Sequence, residues 1–330
     1  MKKMISMLLI GCLALVSTTA FASNVSEEVI KTEDVKSVVE EVAVEKTIEK
    51  RAIVVVSFGA SHQDTRKVTL DAIENKVRET YTDYDVYRAY TSDFIARIIQ
   101  KKENVKVESP DEIFARLVKE GYDEVLVQPL HVIPGLEYSD LVKSFEKYRN
   151  EFVRAEIGTP LLYTINTETN RNDYKTLIEA LKEQVTQEKK SVVFMGHGTS
   201  HPANASYALL ERMFNDLGLA NIYIGTVEGY PGITEVKNEL KKDKVENVVL
   251  MPLMIVAGDH AKNDMAGDED DSWKKILQLE GYNVETYLHG LGENEGVQKI
   301  YINKVADLIK INETEEIEVN EEVIVEKEEK

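Results

Sequence analysis

The sequence predicts an α/β protein made of two similar Rossmann-like domains, each a parallel sheet flanked by helices, with a cleft between them. Three observations carry this expectation: short runs that are apolar throughout, their alternation with helical patterns, and an internal repeat. Strands that are apolar on both faces need cover on both faces, and intervening helices supply it as crossovers. A chain of 330 residues suits two domains of ordinary size.

The first strand is Ala52 to Ser57, ended by Gly59, and the apolar spacing from Asp64 to about Tyr81 predicts a helix. Further strands are expected at 84–90, 123–129, 153–157, 191–196, 221–227, 246–255 and 283–288. Helices are expected near 111–119, 138–149, 172–187, 203–216, 232–241 and 294–310. The repeat pairs Gly59-Ala60-Ser61-His62 with Gly198-Thr199-Ser200-His201, so that Phe58 matches His197. It also pairs Glu124 to Glu137 with Asn247 to His260 without a gap, so that Glu137 matches His260. The two domains are drawn accordingly as 51–165 and 166–312.

The ends differ from this body. Lys2 and Lys3, an apolar run from Met4 to Val16 and the small-x-small sequence Ala20-Phe21-Ala22 read as a signal peptide over 1–22. The protein is therefore expected in the periplasm or otherwise exported. A lipoprotein box ending at Cys12 is the weaker reading, because the apolar run continues past it. That run falls short of the roughly 20 residues that cross a bilayer, so no membrane span is expected after processing. Residues 23–50 carry a net charge of −4 and residues 313–330 a net of −7, without aromatics, which predicts an acidic linker and an acidic tail.

Composition narrows the chemistry. A net charge of −19 argues against a nucleic-acid partner, whose phosphates call for a basic surface. A single cysteine, Cys12, rules out an intrachain disulfide and a thiolate zinc site, so a metal would rest on nitrogen and oxygen ligands. Neither a Gly-x-Gly-x-x-Gly turn nor a Gly-Lys-Ser phosphate loop is present.

Three successive strands of the second half instead end in polar groups: His197, Glu228 and His260. Strand ends of one parallel sheet share an edge, so these three are expected together. Two imidazoles and a carboxylate suit Co2+, Fe2+, Ni2+ or Zn2+, and imidazoles also take up protons near neutral pH. Gly196, Gly198 and Gly258 are expected to leave room beside them for a bulky ligand. His197 and His201 are four apart, but Gly198 and Pro202 break the helix such a metal pair needs, which leaves His201 either behind the ligands as their support or next to a helix N-cap. His131 either lines the cleft or caps the core, His62 is more often structural than ligand-touching at such a place, and His289 is taken as structural.

The phrases Val55 to Gly59, Phe194 to Gly198, Val227 to Pro231 and above all Met251 to Ala266, followed by Asp271 to Lys274, are similar to those of a known family. From about Ala52 to Gly292 the chain resembles the anaerobic sirohydrochlorin cobaltochelatases, the CbiK family of class II chelatases with ferrochelatase-like folds. The resemblance implies that His197, Glu228 and His260 bind the cobalt ion and that His197 and His260 are catalytic. It implies a further pocket carboxylate at Glu137. Ser57, Phe58 and Gly59, with Arg88 and His131, complete the expected substrate-binding set. The signal peptide resembles that of the periplasmic subgroup, in which haem binding and oligomers are known, whereas the acidic ends have no counterpart in the cytoplasmic members.

The activity so implied is insertion of Co2+ into sirohydrochlorin, a step of the corrin-forming type, with a small tetrapyrrole as partner and a homo-oligomer within the expectation. Sirohydrochlorin is a polycarboxylate, which an acidic protein is expected to offset with local cations; Arg88, Arg66 and Lys262 are the candidates, Arg88 foremost. The rival readings are an exported carrier of haem or another metal-tetrapyrrole, and a ferrochelatase or nickel chelatase, since the same ligands accept Fe2+ and Ni2+.

Overall fold

In the computed structural model, which describes residues 47–310 except 170 and 188–189, each half of the chain carries one four-stranded parallel sheet. The expected signal peptide, nearly all of the acidic linker and the acidic tail lie outside the described residues. The first sheet runs β2 (Asp85–Tyr90), β1 (Arg51–Ser57), β3 (Glu124–Pro129), β4 (Arg154–Ile157). A short hairpin of β5 (Ile165–Asn166) and β6 (Arg171–Asn172) precedes the second half. The second sheet runs β8 (Ile222–Thr226), β7 (Ser191–Gly196), β9 (Asn247–Pro252), β10 (Asn283–Thr286), the same order as the first.

The repeat extends to the register. Val56 pairs with Pro129 in one sheet and Met195 with Pro252 in the other. Both central strands stop at that proline, which has no N–H to continue the ladder. The strand expected at 246–255 is therefore shorter than predicted, and residues 253–256 leave the sheet.

Strand alternation distributes the apolar residues over separate cores. Ile53, Val55 and Leu126 point to one face with Val192, Phe194 and Met251 of the second sheet. Val54, Val56 and Val127 point to the other face of the first sheet, where α4 (Pro110–Lys119) and α5 (Leu136–Glu146) cover them with Phe114, Leu117 and Phe145. Val193, Met195 and Leu250 lie likewise under α8 (Ile233–Lys242) and α9 (Trp273–Leu279). The shared core also takes α6 (Asp173–Gln187) and α10 (295–310), whose Val297, Tyr301, Val305 and Leu308 recur at helical spacing. Each such fully buried aliphatic side chain contributes about 1.5–3 kcal/mol.

The last helix thus ties the halves together. Tyr301 donates to the Leu130 carbonyl at 3.2 Å, Tyr81 donates to the Ile302 carbonyl at 2.7 Å, and Lys304 reaches Asp173 at 2.9 Å in the interior. The single helix expected over 64–81 is broken at Thr69 into α1 (Gln63–Val68) and α2 (Leu70–Thr80), the Thr69 hydroxyl donating back to the Thr65 carbonyl at 2.6 Å. The sequence reading did not single out α3 (Asp93–Glu103), although Ser92 caps it and Asn104, at φ 54°, ends it.

Candidate active site

The carboxyl ends of both sheets face a cavity of about 350 Å3. At the end of β7, Gly198 turns the chain in the left-handed region at φ 86°, where an added Cβ would lie 2.8 Å from the Gly229 nitrogen. Glycine is required there because two backbones meet. Gly59 holds the equivalent place after β1 at φ 101°. Beyond the regular ladder, Val227 donates to the Gly196 carbonyl at 3.0 Å and Glu228 to the His197 carbonyl at 2.8 Å. These two bonds hold Glu228 beside His197.

His197, Glu228 and His260 each offer a ligand atom, all within 4.8 Å of one another, and they form the one such group among the described residues. The two imidazole rings stand at 90° with centroids 4.8 Å apart. His197 Nδ1 lies 4.0 Å from a Glu228 oxygen and 3.0 Å from the Gly198 carbonyl. His260 Nδ1 lies 2.5 Å from Asp264, one turn further on in the π-helical segment Ala261–Met265. All three side chains are partly solvent-exposed, at 39%, 59% and 36%. Such a donor set can take a divalent first-row ion and keep positions open for a second ligand.

The first half supplies the facing wall with Ser57, Phe58, Gly59, His131 and Glu137. The repeat sets Phe58 at the place of His197 and Glu137 at the place of His260, so the metal-type donors belong to one half. His131 is among the lining residues; both its ring nitrogens are buried without a hydrogen-bond partner, and burial pushes its pKa down to about 4. Tyr207 closes the floor, its hydroxyl pushed up to about 12 by burial, and its ring fills the space a Cβ on Gly196 would need.

His62 also lines the cavity and pairs with Asp259 at 2.8 Å, linking the two halves across its rim. Lys262 and Asp64 make a second link of this kind at 3.5 Å.

Several expectations need correction. Arg88 does not line the cavity: its guanidinium is held between Glu74, at 2.8 Å, and Asp71, both on α2. Arg66 is buried, bound to the Ala60 carbonyl and Glu103. No described residue lining the cavity is Lys or Arg. Of the three glycines expected to leave room for a ligand, Gly196 and Gly198 are hemmed in by Tyr207 and by backbone, and Gly258 alone has open space beside it. His201 is a cap, as expected, accepting from Ala203 N–H at 3.1 Å.

Sequence reasoning did not assign roles to Asp264, Asp259 or Phe94. For Asp264 the signal was present, since a carboxylate four residues after a histidine can meet it on one helical turn. Phe94, exposed at the start of α3 and lining the cavity, follows from a helix the sequence reading did not single out.

Residues 51–310 match the family model of cobalt chelatase (CbiK). The chain is 38% identical over 255 residues to the sirohydrochlorin cobaltochelatase of Salmonella typhimurium, covering 77% of this chain and 94% of that protein. It is 34% identical over 259 residues to the sirohydrochlorin cobaltochelatase CbiKC of Nitratidesulfovibrio vulgaris, covering 77% and 89%. Among solved structures, SirB of Bacillus subtilis with Fe3+ aligns at a TM-score of 0.53 and 15% identity, over 78% of this chain and 95% of that one. A cobalt complex of the sirohydrochlorin chelatase SirB from Bacillus subtilis subspecies spizizenii aligns at 0.52 and 14% identity, over 78% and 94%. At such identities the structural likeness speaks to the fold.

Proposed function

The chain belongs to the cobalt chelatase (CbiK) family, and on that footing we propose that it inserts Co2+ into sirohydrochlorin. The observation that carries the reading is the placing of His197, Glu228 and His260 within 4.8 Å of one another at the end of the second sheet, beside a cavity both halves line. His197 and His260, with Glu228, receive Co2+ as substrate on one side of the macrocycle. Insertion requires both pyrrole N–H protons to leave while the ion sheds its waters, and a neutral imidazole nitrogen can accept such a proton. Phe58 and Glu137 face the macrocycle from the other wall.

The absence of Lys and Arg from the described lining bears on how a polycarboxylate is held. A cavity of about 350 Å3 is at the small end of ligand sites, so the ring enters and its carboxylate-bearing rim stays in water. The apolar lining, including Phe58, Leu130, Ile133, Leu253 and Met254, then contributes through the buried plane of the macrocycle.

The test is to mix the protein with sirohydrochlorin and Co2+, Fe2+ or Ni2+ in turn and follow the absorbance. Turnover with Co2+ supports the reading, and a stable one-to-one haem complex without turnover with any metal would replace it with the carrier reading. We further propose that the protein is exported and loses residues 1–22; an intact Met1 terminus on cytoplasmic protein would contradict this.

A further inference from the structure

The two histidines of the site are oriented by different partners. His197 Nδ1 meets a neutral backbone carbonyl, that of its neighbour Gly198, at 3.0 Å. His260 Nδ1 meets a carboxylate, Asp264, at 2.5 Å. We propose that Asp264 is a positioning residue: it fixes the Nδ1–H tautomer and ring angle of His260, so that the Nε2 lone pair is presented to the incoming metal. This deepens the cobalt-insertion reading and rests on it for the identity of the metal.

The local backbone makes the contact. Residues 261–265 form a π-type turn directly after His260, capped by Ala266 donating to the Ala261 carbonyl at 3.2 Å and Gly267 donating to the Asn263 carbonyl at 2.9 Å. Ala261 and Met265 are buried at 0%, which anchors the turn to the core from the side opposite the cavity. Asp264 and His260, four apart, are thereby left facing each other on its outer side, 47% and 36% exposed.

A carboxylate has no proton to donate at neutral pH, so it can only accept from Nδ1–H. The proton is then excluded from Nε2, and the lone pair is on the nitrogen that points away from Asp264. A free neutral imidazole prefers the opposite tautomer. Without Asp264 the ring would present an N–H to the metal for much of the time and would rotate about χ2. Carboxylate–histidine pairs behind a metal raise ligand basicity and fix the ring, and their loss typically lowers affinity or activity roughly 10–100-fold. Among the described residues no side chain comes within hydrogen-bond distance of His197 Nδ1, the Glu228 carboxylate lying 4.0 Å away, so the two histidines should respond differently to one substitution.

The experiment uses the full chain labelled with 15N at histidine. At pH 8, without metal, long-range 1H–15N spectra report the tautomer of each ring. The wild type is expected to show His260 as Nδ1–H. In Asp264→Ala the His260 signals should move toward the Nε2–H form while those of His197 stay, and Asp264→Asn, whose amide oxygen can still accept, should retain more of the Nδ1–H form. Titration with Co2+, read by its visible absorbance, should show affinity about 10-fold or more weaker in Asp264→Ala and an intermediate loss in Asp264→Asn, with the melting temperature unchanged. Wild-type His260 found as Nε2–H, or an Ala variant with unchanged tautomer or unchanged Co2+ affinity, would overturn the proposal. A wild-type chain that takes up no Co2+ at all would overturn the metal-site reading itself, a result the metal-free spectra keep separate.

Discussion

His197 and His260 meet edge to face, their ring centroids 4.8 Å apart, although 62 residues of chain separate them. Both rings are about one-third exposed and neither belongs to a hydrophobic core. Replacing either with Ala should therefore abolish cobalt insertion while changing stability by about 0.5 kcal/mol or less. Spectrophotometric turnover beside thermal unfolding checks this. Near-normal turnover in either variant would remove that residue from the mechanism.

Glu228 is the most exposed of the three donors, at 59%, and its carboxylate lies 4.0 Å from His197 Nδ1. Glu228→Gln keeps the shape and removes the charge, so Co2+ affinity should fall by about 10-fold with little effect on folding. Calorimetric Co2+ titration of the two proteins is the measurement. Equal affinities would reduce the site to a histidine pair.

His131 should make the fold acid-sensitive. Its pKa in the folded chain, about 4, lies below the ordinary 6.5, so the unfolded chain binds a proton that the folded chain refuses. The stability is present above about pH 6.5 and is lost as pH falls toward 4. His131→Met, the residue its repeat counterpart Met254 supplies, removes this penalty and breaks no hydrogen bond, since both nitrogens lack partners. Urea unfolding should find the variant gaining about 2 kcal/mol on the wild type between pH 8 and 4.5. Parallel pH profiles would contradict it.

Glu211 works in the opposite sense. Burial pushes its pKa up to about 7 although its carboxylate accepts from the Ile224 N–H of the edge strand β8. Between pH 4.5 and 7 the folded chain retains a proton that the unfolded chain releases, so stability falls as pH rises through this range. Glu211→Gln keeps an acceptor and never ionises. Allowing for its partial exposure, we expect the variant to be about 1–2 kcal/mol more stable at pH 8 and no more stable at pH 4. Denaturant unfolding at the two pH values decides it.

Lys304 and Asp173 form an ion pair with both side chains under 10% exposed, at 4% and 7%, and join α10 to the start of α6. Lys304→Ala removes the buried cation but leaves the Asp173 carboxylate with Arg171 at 3.6 Å and the N–H groups of Tyr163 and Thr164, so it should cost about 1–3 kcal/mol. A single variant within 1 kcal/mol of wild type in chemical denaturation would show that water replaces the pair.

The sequence determined the alternation of apolar strands with helices, the repeat that equates β1 and β3 with β7 and β9, and the placing of His197, Glu228 and His260 after three successive strands of one sheet. These are local properties: strand periodicity is written in adjacent residues, and parallel strands of one sheet must end on one edge. The tertiary structure alone decided which charges are free. Arg88 occupies a strand and looks available in sequence, yet Asp71 and Glu74 on the preceding helix take its guanidinium because a charge there must be paired as it leaves water. It also decided that Asp264 faces His260 across a π-type turn and that no described residue of the lining is Lys or Arg. Ion pairing and side-chain burial depend on which surfaces the cores bring together, and spacing along the chain does not carry that information.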